Sequence, residues 1–114
     1  MLVGGYYYDI PNDEKTIHTL QTVAMFNLNS KEWKICNDYP SPVVQPTLVF
    51  LNNQVYGFAG RELKPNKNWS KKRKVHVIDI SEFSKINLAV WSTEQKLNGE
   101  TKCHSPIVVP YNPV

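Results

Sequence analysis

Apolar and polar residues alternate in short runs along this 114-residue chain, and Gly, Pro, Asn and Asp cut the runs every few residues. Period-two alternation among β-branched and aromatic residues is the mark of a half-buried strand. It predicts strands over 22–28, 31–36, 45–51, 54–58, 74–80, 88–93 and 106–111. Asn29-Ser30 would join the first pair as a hairpin and Asn52-Asn53 the next pair. Asn suits the second place because it tolerates the left-handed backbone of tight hairpin turns. Ser81 to Ile86 fits one helical turn, with Ser81 as cap and Glu82 near its positive end. No stretch has the length and 3.6-residue period of a long amphipathic helix, so the pattern predicts an all-β protein.

Parts of the pattern return. Gly4-Gly5, Phe26 to Trp33 and Pro46-Thr47-Leu48-Val49 are echoed by Ala59-Gly60, Ile78 to Trp91 and Pro106-Ile107-Val108-Val109. Gly5 and Gly60 lie 55 residues apart, Trp33 and Trp91 58, and Pro46 and Pro106 60. A period near 50 residues marks a blade-type repeat, in which each unit is a small sheet that buries its faces by stacking on neighbours.

At these residues the chain resembles the kelch family of β-propellers. Its repeat has an apolar strand, a strand ending in a double glycine, a strand closing on Tyr-Asp, a Trp seven residues on, and a Pro-rich turn. Asn53 to Gly60, which includes Tyr56, is similar to the second strand; Phe26 to Trp33 keeps the seven-residue step; Tyr39-Pro40-Ser41-Pro42 supplies the turn. Phe26-Asn27 stands for Tyr-Asp, Ala59 for the first glycine and Val43 for the usual Arg, and Ile78 to Trp91 spans 13 positions rather than seven. The resemblance implies a propeller fragment with four-stranded antiparallel blades: late strands of one blade over 1–44, a complete blade over 45–97 with a basic insertion at 61–74, and a first strand of another over 98–114. It also implies that Trp33 and Trp91 pack between sheets. A closed propeller needs about four to eight blades, so the ring is incomplete in one chain. Assembly of several copies, three giving about six blades, or membership in a longer propeller would complete it.

Composition adds constraints. A hydrophobic content of 41% suits a globular chain. No apolar run approaches the eighteen or so residues of a membrane span, and Met1 to Tyr6 does not read as a secretory signal. Cys36 and Cys103 are far apart with no CxxC, which fits reduced thiols and makes the cytoplasm the default compartment. The net charge of +3 is uneven: Arg61, Lys64, Lys67, Lys71, Lys72, Arg73 and Lys74 face the single acid Glu62, a local +6 that leaves −3 elsewhere. Global charge therefore gives no argument for nucleic acid.

Candidate chemistry is sparse. Gly4-Gly5 and Gly60 precede no phosphate-loop pattern and fit tight strand exits better. His18, His76, His104, Cys36 and Cys103 follow no standard zinc spacing, and no nucleophile with a base and orienter is legible. Neither catalysis, a metal nor a cofactor is expected. Arg61 to Lys74, with Trp69 in its middle, is the partner-binding candidate, because loops on a rigid scaffold commonly bind. Four readings of it stand: a solvated insertion, a protein-docking loop, a nuclear-import signal at Lys71-Lys72-Arg73-Lys74, or a nucleic-acid contact, the last disfavoured. Asn68-Trp69-Ser70 matches a glycosylation sequon, taken as chance without a secretory route. The expected function is protein interaction without catalysis; a propeller segment of a larger enzyme or a degenerate gene fragment are the alternatives.

Overall fold

A strand leaving on a glycine, a two-stranded hairpin and then two more strands occur twice in succession, and this order organises the molecule. The computed structural model describes residues 1–66 and 68–96. Lys67, Cys103, His104, the unit expected at 98–114 and the strand expected at 106–111 lie outside the described residues. Strands β1 (Leu2–Val3), β4 (Val23–Asn27) and β5 (Glu32–Ile35) form an antiparallel N-sheet in the order β1-β4-β5. Strands β6 (Thr47–Leu51), β7 (Gln54–Phe58), β10 (Lys74–Asp79) and β11 (Ser92–Lys96) form a four-stranded antiparallel C-sheet in the order β11-β10-β7-β6. Between β1 and β4 stands the hairpin β2 (Tyr6–Tyr8) with β3 (Ile17–Thr19); between β7 and β10 stands β8 (Arg61–Leu63) with β9 (Trp69–Lys71). The described residues are thus all-β apart from short 3₁₀ turns at Glu14–Thr16 and Phe83–Leu88.

Local chemistry sets the boundaries. Asn52 and Asn53 both take positive φ, 51° and 61°, and close the β6–β7 hairpin as expected. In the β4–β5 turn Asn27 Oδ1 accepts from the Asn29 and Ser30 amides, and Lys31 turns left-handed at φ 62°. That turn delays the strand expected from Lys31 until Glu32. Gln45, at φ 55°, and Pro46 likewise delay the next strand until Thr47. The helical turn sits two residues later than expected, because Asp79 Oδ1 accepts the Ser81 amide and Glu82 becomes the cap. Its continuation to Leu88 displaces the strand expected at 88–93 to 92–96.

Strand register divides each sheet into faces. Val3, Val23 and Met25 of the N-sheet turn toward Leu48, Val55 and Ile78 of the C-sheet, and these residues share one core. Tyr39, from the Pro-rich turn, fills the space between the sheets, edge-on to His76 at 4.8 Å and to Trp91 at 4.9 Å. Gly57 is what admits that ring, since a β-carbon there would lie 2.8 Å from the Tyr39 hydroxyl. Val43, fully buried, accepts the Gly5 amide at 2.8 Å and packs on both glycine exits. A β-carbon on Gly4 would collide with the Val43 carbonyl oxygen, and one on Gly60 would meet Val43 Cγ2 at 2.6 Å. Lys34 Nζ donates to the Ser84 carbonyl and Asn37 Nδ2 to that of Ala89, pinning the 83–88 turn over the core with Ile86 buried beneath it.

The two aromatic landmarks differ. Trp91 is 8% exposed, whereas Trp33 is 57% exposed and touches Phe26 with ring centroids 4.9 Å apart. The expectation that both pack in the core is therefore corrected for Trp33. The cause is geometric: Tyr39 and the N-sheet cover Trp91, and the face carrying Trp33 has no sheet of the described residues upon it.

Candidate functional site

Each hairpin begins directly after its glycine exit: β2 follows Gly5 and β8 follows Gly60. Because both exits pack on Val43, the hairpins leave the molecule side by side, and β3 comes against β8. The Val44 amide donates to the Arg61 carbonyl at 2.8 Å and the Arg61 amide returns a bond to the Val44 carbonyl, fixing β8 to the chain crossing between the sheets. An open cleft of about 510 Å³ lies between the hairpins. Tyr6, Tyr8, Glu14, Lys15 and Ile17 line it from the first hairpin, Arg61, Leu63 and Trp69 from the second, and Val44 and Gln45 from the chain between the sheets.

The cleft sets aromatic and aliphatic side chains beside positive charge. The Arg61 guanidinium stands 4.5 Å from the Trp69 ring centre, a cation–π contact that holds both groups while leaving Arg61 exposed. Lys15 adds a second cation and Glu14 the one acid among the lining residues. Behind this wall Glu62 accepts from Lys64 Nζ and from Lys72 Nζ, each at 2.7 Å. Burial pushes the Glu62 carboxyl upward, but the hydrogen bonds and charges of Lys64 and Lys72 outweigh it and hold the group below its usual range.

The basic run, expected as a loop, is therefore divided by a β-hairpin. Arg61 and Trp69 enter the cleft, Lys64 and Lys72 pair with Glu62, Lys71 and Arg73 are exposed, and Lys74 opens β10. Period-two alternation explains the split, since Arg61 and Leu63 face the cleft while Glu62 turns away. Of the repeat residues, Gly4, Gly5 and Gly60 take positive φ at the strand exits, and Tyr56 sits half-buried in β7 with its hydroxyl donating to Gln54 Oε1. Tyr6, Tyr8, Lys15 and Leu63 also line the cleft, although their residue types and neighbours in the sequence do not single them out. The repeat held a signal for them, because the 55-residue step that relates Gly5 to Gly60 also relates Tyr6 to Arg61 and Tyr8 to Leu63.

The two described histidines differ in setting. His76 is buried with Nδ1 3.0 Å from Thr93 Oγ1; burial first, then the charges of Lys74 and Lys72, lower its pKa and favour the neutral ring. His18 Nε2 meets Asp9 Oδ2 at 2.7 Å in the open and stacks on Tyr7. Cys36 is buried, which pushes its thiol up and away from the reactive thiolate. Among the described residues no three His, Cys, Asp or Glu side chains gather where they would hold a metal ion, and no helix is long and apolar enough to cross a membrane. No family model matches the chain, and no curated protein matches it.

Proposed function

We propose that this chain is a protein-interaction module of kelch-propeller type, non-catalytic, that docks an acidic segment of a partner protein in the cleft between its two hairpins. The four-stranded meander of the C-sheet and the paired glycine exits support the blade reading. The observation that carries the docking reading is Arg61 stacked on Trp69 in a cleft that they line together with Tyr8, Ile17 and Leu63. A carboxylate on the partner meets Arg61, whose charge is not neutralised by Glu62, and a neighbouring aliphatic or aromatic side chain lies against Tyr8, Ile17 and Leu63. Trp, Tyr and Arg are the residue types that most often dominate binding energy at protein interfaces.

Selection of a random peptide library on the immobilised chain tests this. Recovered peptides should carry Asp or Glu beside a large apolar residue, and Arg61→Ala or Trp69→Ala should weaken them at least about tenfold, which is roughly 1.4 kcal/mol. Peptides that bind both variants as tightly as the parent chain would remove the cleft from the account.

A further inference from the structure

The outer face of the N-sheet presents Leu2, Ala24, Phe26, Trp33 and Ile35 by register, with Leu2 62%, Trp33 57% and Ile35 64% exposed. Three large apolar side chains on one sheet face, all more than half exposed, make a patch that water disfavours. The repeat says what such a face is built to meet. Leu2 corresponds to Gly57, Ala24 to His76 and Phe26 to Ile78 when the two glycine exits and the two middle strands are superposed in sequence. Phe26 pairs with Trp33 across β4 and β5; carrying the His76↔Thr93, Val77↔Ser92 register one residue further puts Trp91 opposite Ile78 in the same relation. Every one of these C-sheet counterparts lies on the face that the N-sheet covers inside the same chain.

The covering surface has counterparts too. Val3 and Met25 of the N-sheet correspond to Phe58 and Val77, which with Val49 and Tyr56 lie on the opposite, outer face of the C-sheet. The internal contact is therefore head-to-tail: one sheet's front meets the next sheet's back. An exposed front remains on the N-sheet; on the back of the C-sheet Val77 is buried, while Val49, Tyr56 and Phe58 are half-buried and Leu51 is exposed, and these four are what the front can meet.

We infer that the Leu2, Phe26, Trp33, Ile35 face binds the outer C-sheet face of a second copy of this chain, repeating between molecules the packing already present within one. The contact is heterologous, so it propagates from copy to copy and closes into a ring where the rotation per copy completes a circle. With the N-sheet and the C-sheet as two blade-like sheets among the described residues of each copy, three copies give about six, inside the four-to-eight range of closed propellers. The inference rests on the repeat part of the proposed function and not on the cleft, so either can fail alone.

Sedimentation velocity at micromolar concentration on the full chain tests it with two variants. Trp33→Lys charges the front; Leu51→Lys charges the back, on a side chain 42% exposed beside Val49. Tyr56→Lys serves as a second, more central back variant, and circular dichroism checks that each variant folds. The wild-type chain should sediment as a closed oligomer, Trp33→Lys alone and a back variant alone as monomers, and an equimolar mixture of the two as a heterodimer, because one compatible junction survives. A monomeric wild-type chain overturns the inference. So does an oligomer broken by Trp33→Lys but kept by both back variants, since that marks a two-fold contact, and so does a mixture that stays monomeric.

Discussion

Replacing Trp91 probes the contact between the two sheets directly. An indole buries about 150–250 Å² and each Å² of apolar surface removed from water contributes about 25 cal/mol, so a ring this covered stabilises by up to roughly 4–5 kcal/mol. Its edge-on contact with Tyr39 adds about 0.5–1.5 kcal/mol. One term opposes these: Trp91 Nε1 is buried with no hydrogen-bond acceptor among the described residues, which costs about 1–3 kcal/mol. Trp91→Ala removes both gain and penalty, and the expected net loss is about 3 kcal/mol. Trp91→Phe keeps a ring against Tyr39 and deletes the unpaired donor, so it should stay within about 1 kcal/mol of the parent chain. Urea unfolding followed by far-ultraviolet circular dichroism measures both without relying on the residue removed. Equal losses for the two variants, or a loss under about 1 kcal/mol for alanine, would show that the indole is not held as described.

Two further outcomes follow from the same interior. Gly4→Ala and Gly60→Ala each force a β-carbon into Val43 at positive φ, 70° and 80°, and should cost about 2–5 kcal/mol through combined backbone strain and overpacking. Gly5→Ala, with nothing within 4 Å of its β-carbon position, pays the backbone term alone and should melt at a higher temperature than either. His76 has a folded pKa below its ordinary 6.5, so the unfolded chain binds the extra proton first. Stability is then complete above about pH 6.5 and falls as pH drops from there toward the lower folded value; His76→Asn should flatten that limb of a stability–pH curve.

The strands are legible where alternation is strong and turns are closed by Asn, as over Gln54–Phe58, where the predicted and observed bounds coincide. Boundaries slipped where a non-glycine residue turned left-handed: nothing in the side chains of Lys31 or Gln45 announces positive φ. The second hairpin was hidden by its charge, because Arg61, Glu62 and Lys64 read as a solvated loop although Glu62 pairs inward with two lysines. The first was hidden by composition, since Tyr6-Tyr7-Tyr8 has no polar alternation to show its faces. The exposure of Trp33 departs from the expectation for a different reason. A repeat motif says which face a Trp occupies, but whether that face is covered depends on a neighbouring sheet, which for Trp33 is absent among the described residues. The cleft required three dimensions, because it joins residues 55 positions apart through the shared contact of Gly4 and Gly60 with Val43.

The claim that the cleft, and not the basic run as a whole, recognises the partner is tested most directly by nuclear magnetic resonance. The ¹⁵N-labelled chain would be titrated with a short peptide carrying two glutamates next to a phenylalanine. The account predicts saturable shifts in the Trp69 indole N–H, the Arg61 side chain and the amides of Tyr6 and Tyr8, persisting in moderate salt because apolar contacts share the binding. Shifts confined to Lys71, Arg73 and Lys74 that vanish as salt is raised, with Trp69 and Tyr8 unmoved, would contradict it.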